Sequence, residues 1–158
     1  MTQIIAGTTQ DLQKTPAQYI KELLESNWSI ANPVPDFYNS WINNAQGKRY
    51  QICVLQRIET PGRESLGRQR SDIDSFVDVH AWGLGIVLPQ ESDIPELLYM
   101  RNEIYRIIRE HWEDIPIFWQ CNITTFRQIE DQPATQGNKT NWHYLATVHV
   151  NYTIVSTT

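Results

Sequence analysis

From Trp142 to Ile154 the chain alternates with a period of two. Trp142, Tyr144, Ala146, Val148, Val150, Tyr152 and Ile154 fall on one side, and His143, Thr147, His149, Asn151 and Thr153 on the other. Side chains of an extended strand point alternately to opposite faces, so this stretch predicts a long strand with one face on a core and one wetter face. A strand of this kind needs neighbours on its edges and a layer over its apolar face. The rest of the sequence supplies both. Residues 48–59 read as a strand with Tyr50, Ile52, Val54 and Ile58 on one face, and Cys53 and Leu55 on the other. At 73–82, Ile73, Val77, Val79 and Ala81 oppose Asp74, Asp78 and His80. A further strand is expected over 117–129.

Two helices are expected between these strands. Thr15-Pro16 is a helix start, a hydroxyl cap followed by the residue best suited to the first helical position, and Tyr19, Ile20, Leu23 and Leu24 share a face beyond it. The second helix spans about 94–112, with Leu97, Leu98, Ile104, Tyr105, Ile107, Ile108 and Trp112 on its apolar side. Residues 1–14 read as a flexible N-terminal arm. Residues 27–47 read as a long connection pinned by Trp28, Ile30, Phe37, Tyr38, Trp41 and Ile42, with a short helix around 36–43. The stretches 60–72 and 131–141, polar and Gly-containing, read as mobile loops. The expected fold is α+β: one domain over 1–158, with a single antiparallel sheet of about four main strands. Two helices pack on one face, in the order α-β-β-α-β-β. At 158 residues such a domain buries roughly 70% of its unfolded surface and needs neither disulfide nor metal to hold a core.

A net charge of −5 speaks against general nucleic-acid binding and against an anionic membrane surface. The apolar runs are shorter than the ~20 residues of a membrane span. Met1–Gly7 lacks the basic region and long apolar stretch of a signal peptide, so the protein is expected to stay in the compartment where it is made. The four Asn-x-Ser/Thr matches, at Asn27, Asn122, Asn138 and Asn151, then read as chance.

The sequence carries no nucleophile elbow, P-loop or dinucleotide fingerprint. Cys53 and Cys121 sit in strand-like runs, where a buried thiol behaves as a small hydrophobe, and a disulfide between them is the less expected arrangement. Asp78 and His80, two apart on one strand face, could hold two ligands of a metal. His143 and His149 lie roughly 20 Å apart along one strand and cannot share an ion. Ordinary polar-face residues are the simpler reading of all four histidines, so no catalytic residue, cofactor or metal is expected.

Charge is segregated along the chain. Residues 48–70 hold six basic residues against two acidic ones, a net of +4. Residues 91–114 hold seven acidic residues against three arginines, a net of −4. Glu110, Glu113 and Asp114 close the second helix at the end where negative charge is unfavourable. Separated charges of this kind suit head-to-tail association of identical subunits, which gives rings when the rotation closes. The expected contact joins Arg63, Arg68 and Arg70 of one subunit to Glu103, Glu110, Glu113 and Asp114 of the next, with edge strands adding main-chain contacts. A contact within one subunit, or none, is the plainer alternative.

In element order and strand texture the chain resembles the tail terminator proteins of long-tailed bacteriophages, also called tail completion or head–tail joining proteins. The segments Tyr50–Arg57, Ser75–Trp82, Leu97–Trp112 and Tyr144–Ile154 carry the resemblance, which spans about residues 10–156. It implies a structural virion protein of the tail and neck, assembled in the host cytoplasm as a homo-oligomer, a hexameric ring at the head-proximal end of the tail tube. The implied partners are the tail tube protein and a neck or head-closure protein, with DNA passing through the lumen without being specifically held. Three other readings stay open at this point: another neck or tube ring protein, a small-molecule-binding α+β domain walled by the aromatic 27–47 segment, and an enzyme with an unfamiliar site near Asp78 or His80.

Overall fold

The structure is a computed structural model that describes residues 14–41, 50–64, 70–83, 94–131 and 141–155. The expected arm before Lys14, the pinning residue Ile42, the basic residues Lys48, Arg49 and Arg68, and the greater part of the 131–141 loop lie outside the described residues.

Helix α1 runs Pro16–Asn27. Thr15 Oγ1 accepts from the Gln18 N–H at 3.2 Å, and Gln18 Oε1 accepts from the Thr15 N–H at 2.8 Å, so two backbone donors that the helix cannot satisfy are paired reciprocally. At its far end the Asn27 amide donates to the Leu23 carbonyl, and the backbone turns extended at Trp28. Helix α2 runs Ile94–His111 and tightens into a 3-10 turn, Trp112–Asp114.

Five strands form one sheet: β1 Asp36–Tyr38, β2 Tyr50–Glu64, β3 Arg70–Gly83, β4 Phe118–Asp131 and β5 Asn141–Val155. Their order across the sheet is β1-β2-β3-β5-β4. The four long strands pair antiparallel, as expected, whereas β1 pairs parallel with β2 through Asp36–Tyr38 opposite Gln51–Cys53. The fold is therefore α+β, but the sheet is mixed and five-stranded rather than purely antiparallel and four-stranded.

The short helix expected around 36–43 is replaced by β1. Pro35 holds Val34 out of helical geometry. Trp28 then fixes the loop by donating its ring N–H to the Pro33 carbonyl at 3.0 Å and by packing edge-on against Phe37 at 5.5 Å. Beyond Tyr38 the Asn39 amide donates to the Ala17 and Val54 carbonyls, ending the strand by tying it to α1 and β2.

Both helices cover the same sheet face. Ile20, Leu23 and Leu24 of α1 and Leu97, Met100, Ile104, Ile107 and Ile108 of α2 pack on Ile52, Val54, Val77, Val79, Ala146, Val148, Val150 and Tyr152. Each such side chain withdrawn from water contributes about 1.5–3 kcal/mol before chain entropy is set against it. The alternation of β5 has the expected register, with Tyr144, Val148, Val150 and Tyr152 in the core and His149 only half-buried. Asn151 and Thr153, on the wetter face, are nevertheless buried, because carboxylates of β3 close over them. The side chains of Trp142 and His143 lie outside the described ones.

Ile58 departs from the expected core face. A register shift between Gln56 and Ile58 inserts Arg57 and sets Ile58 opposite Phe76, on the face away from the helices, where it is 51% exposed. An extra residue in one strand flips every side chain beyond it. Gln56 holds the bulge by donating to Ser75 Oγ at 2.6 Å and to the Phe76 carbonyl at 3.2 Å. The ladder also runs further than expected: Thr60, Pro61 and Glu64 pair with Asp74, Ile73 and Ser71, so 60–64 and 70–72 are strand rather than loop.

No helix among the described residues is long and apolar enough to cross a membrane. Because α1 and α2 close one core, Leu24→Ala or Ile104→Ala should each cost about 2–5 kcal/mol in chemical denaturation. The exposed Tyr99→Ala should stay within about 0.5 kcal/mol of the parent.

Candidate functional site

The strand registers place the two charged regions relative to each other. Phe118, the first residue of β4, lies opposite Tyr152, which lies opposite Ile73, which lies opposite Pro61. The 3-10 turn with Glu113 and Asp114 enters β4 at this level, so it stands at the same end of the sheet as the β2–β3 hairpin tip. Arg63 is the last residue but one of β2, before Glu64, and Arg70 begins β3 at that tip. Their side chains are outside the described ones, and Arg68 is wholly outside the described residues. Arg63 on β2 and the acidic turn before β4 thus lie on opposite sides of one sheet end, separated by three strand spacings of about 4.8 Å each, with Arg70 on β3 one spacing nearer to β4.

The four acidic candidates divide into two kinds. Glu110, Glu113 and Asp114 are exposed; Glu110 pairs with Arg106 at 3.1 Å, and Asp114 with His111 at 3.1 Å. Glu103 is only 4% exposed, and both its oxygens are committed inside the subunit. One accepts from Arg106 at 2.5 Å, and the other from the Ser29 N–H and Ser29 hydroxyl at 2.7 Å each. Arg106 also donates to the Asn27 carbonyl at 2.9 Å. The Glu103–Arg106 pair therefore locks the C-terminal end of α1 onto α2, and Glu103 is not available to a second subunit. Sequence spacing could not separate it from the exposed acids, because its partner Ser29 is 74 positions away.

The sheet face opposite the helices carries a polar network that the strand patterns implied only as separate faces. Asp74 accepts from His149 Nε2 at 3.1 Å and from the Asn151 amide. His149 stacks on Phe76, with centroids 4.8 Å apart. Arg57 lies over the Phe76 ring and pairs with Asp78 at 3.2 Å, while Thr147 donates to Asp78 at 3.4 Å. Asp78 is thereby drawn to Arg57, whereas His80 joins an aromatic group with Trp41 at 4.6 Å and Trp82 at 6.2 Å. The two do not converge, and no group of three or more potential metal ligands forms among the described residues.

Cys53 and Cys121 are both buried and no disulfide joins them. Burial pushes the Cys121 thiol up to about 12, far from a reactive thiolate. The aromatic 27–47 segment does line a groove of about 480 Å³, through Trp28, Ile30, Val34 and Phe37, but it is widely open to solvent. Along β4, Trp119 is 46% exposed and Tyr105 of α2 stands beside Phe126, with Arg101 over the Phe126 ring and Arg109 over that of Tyr105. Aromatics and arginines gathered beside a sheet edge have the composition of an interface core.

Neither known protein-family models nor curated proteins give a match to this chain.

The Glu103 lock has a definite pH signature. Desolvation raises its pKa, but the hydrogen bonds from Arg106 and Ser29 outweigh this and hold the carboxyl down at about 2, against an ordinary 4.5. A carboxylate lowered on folding contributes stability that is fully present above its unfolded pKa and is lost as pH falls through the folded one. Glu103→Gln should therefore cost about 2–3 kcal/mol at pH 7. The difference from the parent should shrink steadily between about pH 4.5 and pH 2 in urea denaturation.

Proposed function

We propose that this chain is a structural subunit of a tailed phage or phage-like particle. In this reading it is a tail terminator that forms a ring at the head-proximal end of the tail tube, stops tube polymerisation and docks the neck. The observation that carries the reading is the placement of a basic hairpin tip and an acidic turn at opposite lateral sides of one sheet end. Patches that are complementary but not self-complementary produce head-to-tail contacts, and these give rings when the rotation closes. The element order supports the reading too: α1, the long β2–β3 hairpin, α2 and the closing β4–β5 pair follow the sequence of elements in the proteins it resembles.

In this role Arg63, Arg68 and Arg70 face Glu110, Glu113 and Asp114 of the next subunit. Each exposed pair contributes only ~0.2–1 kcal/mol, so charge sets registry and assembly rate while apolar and main-chain contacts supply most of the affinity. Such a ring needs no cofactor, and a weakly acidic protein with no specific hold on DNA suits a lumen through which DNA passes.

Electron microscopy of the purified protein should show rings with a central opening. Added to its cognate tube protein, the chain should cap growing tubes. Self-polymerisation into tubes would identify a tube subunit instead, and a monomer at every concentration would refute the ring. Replacing Arg63, Arg68 and Arg70 together with Glu should lower the assembled mass in light scattering and leave the subunit's far-UV circular dichroism unchanged. Assembly equal to the parent at low and high salt alike would remove the electrostatic contact.

A further inference from the structure

We infer that the ring is closed by strand pairing: β4 of one subunit adds antiparallel to the Val54–Glu64 portion of β2 in the next, so that one sheet runs from subunit to subunit. This rests on the ring reading and names the surface that makes the ring.

Three independent observations converge on it. The first is the state of the two edges. Among the described residues β4 pairs only with β5, and β1 covers β2 only at Gln51–Cys53, so Val54–Glu64 has β3 as its one neighbouring strand, although the Val54 and Ile58 carbonyls already accept from the Asn39 and Gln56 amides. Unpaired N–H and C=O groups in such edges are templates for another strand.

The second is direction. β2 runs toward the hairpin tip, β3 away from it, β5 toward it and β4 away from it. A copy set beside the first by rotation about an axis along the strands keeps these directions. Its β2 then lies antiparallel to the first copy's β4 and continues the up–down alternation without a break. The third is charge. The same placement brings Glu113 and Asp114, at the start of one copy's β4, beside the end of the next copy's β2, where Arg63 stands. Direction and charge come from different features of the chain, and they select the same arrangement.

The register follows from the irregularities. β3 and β5 pair without interruption, whereas β4 shifts register between Phe118 and Gln120 and between Ile123 and Thr125, and β2 shifts between Gln56 and Ile58 and between Pro61 and Glu64. Bulges limit promiscuous pairing of edge strands. The other regular stretch of β4, Thr125–Asp131, is level with Leu55 and the residues before it, where β1 covers Gln51–Cys53, which leaves Gln120–Ile123 and Ile58–Pro61 as the regular windows clear of β1. These windows stand at the same height: Asn122 is level with Ile58 through His149 and Phe76. Exposed apolar side chains, Trp119 on one edge and Ile58 on the other, flank the junction.

The test is cross-linking between subunits. Asn122→Cys is combined with Ile58→Cys or, two residues further on the same face, with Thr60→Cys. Assembled protein is oxidised and run under denaturing, non-reducing conditions. A ladder of covalent multimers is expected from at least one double variant, reaching the mass of the ring, with at most dimers from the single variants. Trp119→Lys, which places a charge at an exposed position, should reduce the assembled fraction at least tenfold. Parent-like rings that give no ladder, together with normal assembly of the Trp119→Lys protein, would overturn the strand pairing and leave the ring reading standing. A parent protein that is monomeric at all concentrations would overturn both.

Discussion

The β3–β5 ladder runs unbroken from Arg70 opposite Val155 to Trp82 opposite His143. It joins strands whose facing residues, such as Asp74 and Asn151, are 77 positions apart. Closing so long a loop costs entropy before any contact repays it, so this pairing has to be supported from both faces. On one face Val77, Val79, Ala146, Val148 and Val150 lie under α1 and α2. On the other, Asp72, Asp74 and Asp78 each accept a hydrogen bond from a β5 side chain: Thr153, Asn151 and Thr147. The apolar layer supplies most of the stabilisation. The polar rungs add specificity, because a one-residue slip would strand three carboxylates opposite apolar partners.

With β3 and β5 fixed at the centre, β2 and β4 flank them, and Arg63 near the end of β2 and Glu113–Asp114 before β4 are carried to opposite sides of that pair. The bulges fall on those margins and not on the central pair. The Glu103–Arg106 lock acts on a different joint. It holds the end of α1 and Ser29 against α2, and so keeps the helix layer aligned with the sheet.

Much of this was legible in the sequence, for identifiable reasons. The period of two in β5 and the apolar stripe of α2 are long enough that no other element type fits them, and both strands of the central ladder showed their correct faces. Thr15 and Pro16 announced the start of α1. What escaped was set by contacts distant in sequence or by a single inserted residue. β1 has three residues and exists because Trp28, Pro35 and Asn39 hold it against β2. Ile58 reads as a core residue until Arg57 is known to be a bulge. Glu103 looks like its exposed neighbours on α2 until Ser29 and Arg106 are found to enclose it. The arginines proposed for the ring contact were visible as a charge cluster, but the position of Arg63 and Arg70 at the same sheet end as the acidic turn needed the registers of three strand pairs.

Amide hydrogen exchange on assembled and dissociated protein tests the central claim most directly, since edge N–H groups that join a neighbouring strand become protected without any change in the subunit fold. Strand pairing between subunits slows exchange on assembly within Val54–Glu64 of β2 and Gln120–Ile123 of β4, with β3 and β5 equally protected in both states. Edges that exchange at the same rate in the two states, or protection gained only along α1 and α2, would contradict it.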